Sequence, residues 1–237
     1  MESERRVIAI TGASAGIGAT TARLLAGRGD RVVLAARRGE AVSRLVAEIE
    51  AAGGQASGCA ADVTRSDDLR RMVHQAVTQF GRLDALVANA GVATTAPLAD
   101  GTLDDWNTMI DVNLRGVLHG IAAALPVFRA QGSGHFVTVT STAAAKWVPG
   151  QGVYAATKAG VRALCDVLRQ EVGPDIRATM VCPGATATDF TTDPDLRERI
   201  ASIAMTPDAV AEAIAYALAQ PPGVNVGEIV VRSAAQP

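Results

Sequence analysis

Tyr154 and Lys158 stand four residues apart in a stretch with helical periodicity, so about one turn separates them and both side chains leave the same face. A free phenol has a pKa of ~10 and stays protonated at pH 7, whereas an ammonium within ~4–6 Å lowers it by ~1–3 units. Such a pair could move a proton to or from a substrate oxygen, with Tyr154 as acid or base and Lys158 as its activator. By itself the spacing more often means a half-buried Tyr beside a surface Lys. Ser141 shifts that balance, because it falls at the C-terminal end of an expected strand, where open α/β sheets place their ligands. Its hydroxyl can donate to a carbonyl oxygen. Thr140 and Thr142 flank it, so a hydroxyl-rich strand end is the plain alternative, and the spacing to Tyr154 favours Ser141.

A second centre lies at Thr11-Gly12-Ala13-Ser14-Ala15-Gly16-Ile17-Gly18, between an apolar run and a helical one. Glycines at a strand-to-helix turn let the backbone bend tightly and let a pyrophosphate approach the helix N-terminus, whose free N–H groups favour anions. The spacing is T-G-x-x-x-G-x-G rather than G-x-G-x-x-G, and a turn that is glycine-rich for packing alone is the other reading. The second apolar run ends Leu34-Ala35-Ala36-Arg37-Arg38, with no acid where an NAD-specific protein places one on the ribose hydroxyls. Arg37, and secondarily Arg38, offer guanidinium groups to a 2′-phosphate, and Ser14 could add a hydrogen bond. NADP (NADPH) is therefore expected in preference to NAD.

The elements that must position these residues follow from period and punctuation. Strands are expected near 6–11, 31–36, 56–61, 83–88, 135–140, 176–182 and 227–232. Helices are expected near 16–28, 40–52, 66–80, 154–172 and 207–219, with 103–130 forming two helices or one bent one. This alternation predicts an α/β fold: a Rossmann-type doubly wound, mostly parallel seven-stranded sheet with helices on both faces. The expected organisation is a single domain over 1–237 with a substrate lid at about 185–206, where prolines bracket a polar segment.

Composition sets limits on the function. The chain has 237 residues, 49% hydrophobic and 19% charged, enough to bury a large core and to exclude disorder as the dominant state. With 22 basic and 24 acidic residues it lacks the basic footprint of a nucleic-acid or anionic-membrane binder. No run approaches a membrane span, and Val7 to Ile10 is too short for a signal-peptide core, so a cytoplasmic protein is expected. Cys59, Cys165 and Cys182 lie in apolar runs and are expected as reduced thiols; His74, His119 and His135 are scattered, so no metal site is expected.

Read in order, the glycine turn, Asp62-Val63, Asn89-Ala90-Gly91, Asn113, Ser141, Tyr154-x-x-x-Lys158 and Pro183-Gly184 with Thr188 resemble the classical short-chain dehydrogenases/reductases over nearly the whole chain. The resemblance implies an NAD(P)-dependent interconversion of an alcohol and a carbonyl compound. It implies that the backbone around Gly12, Gly16, Ile17 and Gly18 holds the pyrophosphate and that Asp62 and Val63 contact adenine. Asn89, Ala90 and Gly91 would pass beneath the adenosine side, with Asn89 mainly structural. Ser141 would polarise the substrate carbonyl, Lys158 would bond the nicotinamide ribose, and Asn113 would hold a water joining Lys158 to solvent. Pro183, Gly184, Thr186 and Thr188 would line the cofactor beyond the sixth strand. Ala15 departs from the many NADP-preferring relatives that carry a basic residue just before the second glycine.

The family's main dimer interface implies a homotetramer or homodimer through the 115–130 and post-Tyr154 helices, whose apolar surface is broad. The substrate should be a small alcohol/carbonyl pair in a pocket bordered by Val92 to Pro97 and Ala143 to Gly152. Val224 to Arg232 resembles relatives acting on 3-hydroxy acids, which makes a 3-hydroxy acid/3-oxo acid pair the first expectation, with Arg197 or Arg199 meeting the carboxylate. A hydrophobic ketone or aldehyde is the second. A cofactor sensor or scaffold that lost turnover is a further alternative, opposed by the retained Tyr154 and Lys158.

Overall fold

Seven apolar runs pair into one sheet: β1 (Val7–Thr11), β2 (Arg31–Ala36), β3 (Gln55–Ala60), β4 (Ala85–Ala88), β5 (Gly134–Val139), β6 (Ile176–Pro183) and β7 (Glu228–Val231). All neighbours are parallel, in the order β3-β2-β1-β4-β5-β6-β7. This computed structural model describes residues 5–188, 190, 198 and 201–236. The strand order reverses between β1 and β4, which opens a crevice beyond their carboxyl ends.

The helices are α1 (Gly16–Gly27), α2 (Gly39–Ala51), α3 (Ser66–Phe80), α4 (Leu103–Ile110), α5 (Gly116–Gln131), α6 (Gly152–Glu171) and α7 (Pro207–Leu218). Strand residues alternate between two buried clusters. Ile8, Ile10, Val32 and Leu34 face Leu25, Leu45 and Ile214 on one side, while Val7, Ala9, Val33 and Ala35 face Leu69, Met72 and Phe128 on the other. A sheet covered on both faces needs apolar residues at every position, which is why β1 and β2 lack a polar stripe.

The expected fold is the one observed, with shifts at particular ends. β4 starts at Ala85 rather than 83, because Leu83 N donates to the Gln131 side chain (3.0 Å) and the Asp84 carboxylate accepts from Val7 N (2.7 Å) instead of extending the ladder. The 103–130 stretch contains α4 and α5 joined without a break by one wide π-type turn, Asp111–Arg115, which carries Asn113. Ala185 to Thr188 and Met205 of the expected lid are described and joined by a bridge from Thr186 to Met205. Asp189, Asp193, Asp195, Arg197 and Arg199 lie outside the described residues. The three cysteines are free thiols. Among the described residues no helix is long and apolar enough to cross a membrane.

His135, on β5 near the edge opposite the crevice, is 1% exposed, with Nε2 2.8 Å from the Thr179 hydroxyl and Nδ1 unpartnered among the described residues. Burial, reinforced by the Arg177 and Arg6 cations, pushes its pKa down to about 3. The folded protein thus holds this ring neutral, while the unfolded chain protonates it near pH 6.5. Its contribution to stability is intact above pH 6.5 and falls by about 1.4 kcal/mol per unit as pH drops towards 3. In urea unfolding between pH 6 and 4, His135→Gln should show a flatter pH dependence than the wild type, whatever its absolute stability. Parallel slopes would remove His135 as the cause.

Candidate active site

Tyr154 lies in the first turn of α6, one turn before Lys158, and both are buried. Ser141 follows β5 in extended conformation and caps a single 3-10 turn, Thr142–Ala144, its Oγ accepting from Ala143 N at 3.1 Å. This cap fixes the hydroxyl at the strand's end, facing the Tyr154 hydroxyl closely enough to draw the phenol's pKa down. The Lys158 ammonium donates to the Val139 carbonyl at 3.1 Å and lies 5.8 Å from the centre of the Tyr154 ring. Ser141, Tyr154 and Lys158, three of the four expected catalytic residues, therefore converge on one centre.

Asn113 reaches the same centre from the π-type turn. Its Oδ1 accepts from Val92 N (2.8 Å), and its Nδ2 donates to Val92 O (2.9 Å) and the Thr157 hydroxyl (3.2 Å). Thr157 Oγ1 in turn donates to Tyr154 O at 2.7 Å. The amide thus ties the wall after β4 to the backbone beneath Tyr154. Thr157 was missed in the sequence, although its place beside Lys158 in the Tyr154-Ala155-Ala156-Thr157-Lys158 run was a signal.

Burial pushes the Tyr154 phenol above its usual range, and the Ser141 hydrogen bond draws it partly back. This corrects the expectation that Lys158 sets the direction: burial sets it, and the counter-pull comes from Ser141. Lys158 itself is pushed down to about 8 by burial, against an upward pull from Cys182 and Cys165. It remains mainly protonated at neutral pH.

The glycine turn is built for close approach. Gly12 has φ +65°, and a Cβ there would sit 2.8 Å from Ala90 Cα, so only glycine lets the β1 and β4 ends converge. Asn89 staples this junction, its Nδ2 donating to Thr11 O (3.0 Å) and Gly12 O (3.3 Å), while Thr11 Oγ1 accepts from Asn89 N and Ala90 N. Ile17 packs on the core, and the Thr188 side chain lies over Gly16, which places the loop after β6 beside the turn containing Gly18. Arg38 Nη2 donates to Ser14 Oγ at 3.0 Å, so the secondary arginine of the sequence reading is the one that meets Ser14; Arg37 is exposed beside it.

The remaining candidates have definite places. Asp62 accepts from Thr64 N and Oγ1, both at 2.9 Å, shaping the turn after β3, and Val63 packs against α5 through His119 Nδ1, 2.9 Å from its carbonyl. Ala90 and Gly91 follow β4, with Gly91 close to Asn113 and Lys158. Pro183 ends β6, Gly184 N donates to Val231 O (2.8 Å), and Thr186 Oγ1 returns to Gly184 O (3.0 Å). Phe190, another missed residue, meets the Tyr154 ring edge-on at 6.0 Å. Met109, Ala143, Val92, Ala93 and Val153 form an apolar wall around Tyr154, whereas Trp147 is 76% exposed.

A doubly wound parallel sheet with a glycine turn at its switch point and a Ser–Tyr–Lys centre on the same edge defines a dinucleotide-dependent oxidoreductase class. The chain belongs to the short-chain dehydrogenase family: the model described as short chain dehydrogenase matches residues 6–198. An uncharacterized oxidoreductase of Listeria monocytogenes is 43% identical, covering 100% of both chains. An alcohol dehydrogenase of Thermococcus sibiricus, solved with 5-hydroxy-NADP, superposes with a TM-score of 0.90 at 32% identity over 99% of each chain. The closed form of a serine dehydrogenase with NADP+ gives 0.92 at 29% identity, over 98% of this chain and 96% of that one. The protein is thus an oxidoreductase of this family.

Proposed function

We propose that the protein interconverts an alcohol and its ketone or aldehyde with NADP, Tyr154 being the acid/base. The observation that carries this reading is the Ser141–Tyr154 hydroxyl pair with the Lys158 ammonium behind it, on the same sheet edge as the glycine turn. The nicotinamide would supply or accept the hydride. For reduction, Ser141 donates a hydrogen bond to the carbonyl oxygen, and the Tyr154 hydroxyl gives its proton as negative charge develops there. The upward-shifted phenol suits this direction, since it stays protonated through neutral pH. Lys158 steadies the phenolate left behind, and Asn113 is assigned the water that returns a proton through Lys158.

The residues fit NADP. Gly12 to Gly18 would receive the pyrophosphate, Asp62 and Val63 the adenine, and Tyr154 and Lys158 the nicotinamide ribose. Arg38 and Ser14, already in contact, form a cationic and hydroxyl cradle for a 2′-phosphate, with Arg37 adjacent. Two neighbours solved with NADP or its 5-hydroxy derivative support this reading. For the substrate, the similarity to a serine dehydrogenase supports a 3-hydroxy acid/3-oxo acid pair, serine being itself a 3-hydroxy acid. The apolar wall of Val92, Ala93, Met109, Ala143 and Val153 supports a hydrophobic carbonyl compound instead. The ratio of kcat/KM for a 3-oxo acid and its methyl ester decides between them. A homodimer or homotetramer through α5 and α6 is supported by exposed Leu118 and Val167 and is read from the particle mass in light scattering.

Two outcomes test the core of the proposal. Tyr154→Phe keeps the ring and removes the proton donor, so NADPH oxidation with an accepted carbonyl substrate should slow by ~100-fold or more with the melting temperature near wild type. Turnover close to wild type would sink the mechanism. Arg38→Ala should raise the KM for NADPH by about tenfold or more and leave that for NADH nearly unchanged. Equal changes for both cofactors would remove Arg38 from the 2′-phosphate.

A further inference from the structure

We propose that Gln236 is a positioning residue that latches the Gly184–Thr188 loop against the cofactor site, making NADP affinity depend on a side chain outside both the glycine turn and the Tyr154 centre. The inference rests on the NADP reading above. On leaving β6 through Pro183 the chain must find acceptors for a run of backbone N–H groups. Gly184 N donates to Val231 O (2.8 Å) and Ala187 N to Met205 O (2.9 Å), both backbone oxygens. Ala185 N donates to Gln236 Oε1 at 2.9 Å, a bond that depends on which side chain stands at 236.

Position 184 carries an independent sign of the same contact. A Cβ built on Gly184 would collide with the Gln236 carboxamide, coming within 3.0 Å of Cδ and 3.3 Å of Nε2. Gly184 is not among the glycines with positive φ, so the backbone conformation does not call for glycine here. What it provides is room, and the occupant of that room is Gln236. The segment after β7 is bent to deliver this side chain: Gln236 N donates to Ser233 O (3.0 Å), and Ala235 N to Ser233 Oγ (3.2 Å). The loop held in this way continues through Thr186 to Thr188, whose side chain would be 3.0 Å from a Cβ on Gly16. Releasing Ala185 therefore loosens the wall that faces the glycine turn, leaving it with its backbone bonds to Val231 and Met205, while Ser141, Tyr154 and Lys158 keep their own contacts.

The test combines cofactor titration with hydrogen exchange on the full chain. Gln236→Ala should raise the NADPH dissociation constant about three- to tenfold while kcat at saturating NADPH stays within about twofold, and Gln236→Glu, which keeps an Oε acceptor, should restore most of the affinity. Gly184→Ala should weaken binding in the wild-type background but add little to Gln236→Ala, because the room is then vacant. The Ala185 amide should exchange faster in Gln236→Ala, with β5 amides unchanged. Wild-type affinity in Gln236→Ala, additive losses in the double variant, or unchanged Ala185 exchange would overturn the latch. Absence of NADPH binding in the wild type, with Ala185 exchange still responding to Gln236→Ala, would overturn the NADP reading and the affinity claim with it, leaving the loop contact standing on the exchange result.

Discussion

The site is organised around an ammonium kept out of water. Lys158 is 4% exposed; its ammonium donates to the Val139 carbonyl at 3.1 Å and lies 5.8 Å from the Tyr154 ring centre, and neither of these carries a full negative charge. Burying an uncompensated cation is costly, and that cost appears as a pKa drawn down to about 8. The lysine stays there because α6 cannot move away: Val161 and Cys165 pack against Met180 and Cys182 of β6, and Thr157 is bonded to the π-type turn through Asn113. The same packing buries Tyr154, so one constraint shifts the phenol up and the ammonium down. In water the two pKa values nearly coincide; here the phenol lies above the ammonium, so in the proposed reaction Lys158 is the stronger acid of the two and the direction of proton return, from Lys158 towards the phenolate, is favoured.

Much of this was legible because it is local. A sheet buried on both faces writes itself as continuous apolar runs, and the pairing of Tyr154 with Lys158 needs only one helical turn. Ser141 was legible through its place at a strand end. What escaped depends on partners distant in sequence. Thr157 gains its meaning from Asn113, 44 residues away, and Gln236 from Ala185, 51 residues away, and neither leaves a periodic trace. Arg38 rather than Arg37 meets Ser14 because Arg38 is the residue just before α2, aimed back across the β1 turn, a direction that composition does not encode. The direction of the Tyr154 shift was misjudged for a related reason: the sequence shows the cation but not the depth at which the phenol is buried.

The two edges of the sheet use different bonds. The edge away from the crevice is closed by charge pairs and by a buried ring: Arg6 with Asp30 at 2.7 Å, Arg82 with Asp84 at 2.7 Å, and neutral His135 on Thr179. At the crevice the scaffold consists of amide side chains bonded to backbone, Asn89 to Thr11 and Gly12, and Asn113 to Val92. Breaking any of these would leave a buried donor or acceptor unpaired, which costs about 1–3 kcal/mol, so they hold the geometry rigidly.

The reacting groups are joined differently. Ser141 and Tyr154 meet as two neutral hydroxyls, a kind of contact worth at most about 0.5–1.5 kcal/mol net and able to re-form with any oxygen of similar polarity. A carbonyl oxygen placed between them would take a hydrogen bond from each, exchanging one hydroxyl contact for two without disturbing the amides behind. Ser141 keeps its orientation through the exchange because its Oγ also accepts from Ala143 N, and Tyr154 keeps its own because its ring is set by α6 and Phe190. The centre is thus preorganised by bonds that are expensive to break and closed by one that is cheap to replace, which is the arrangement that carbonyl reduction at a fixed proton donor requires.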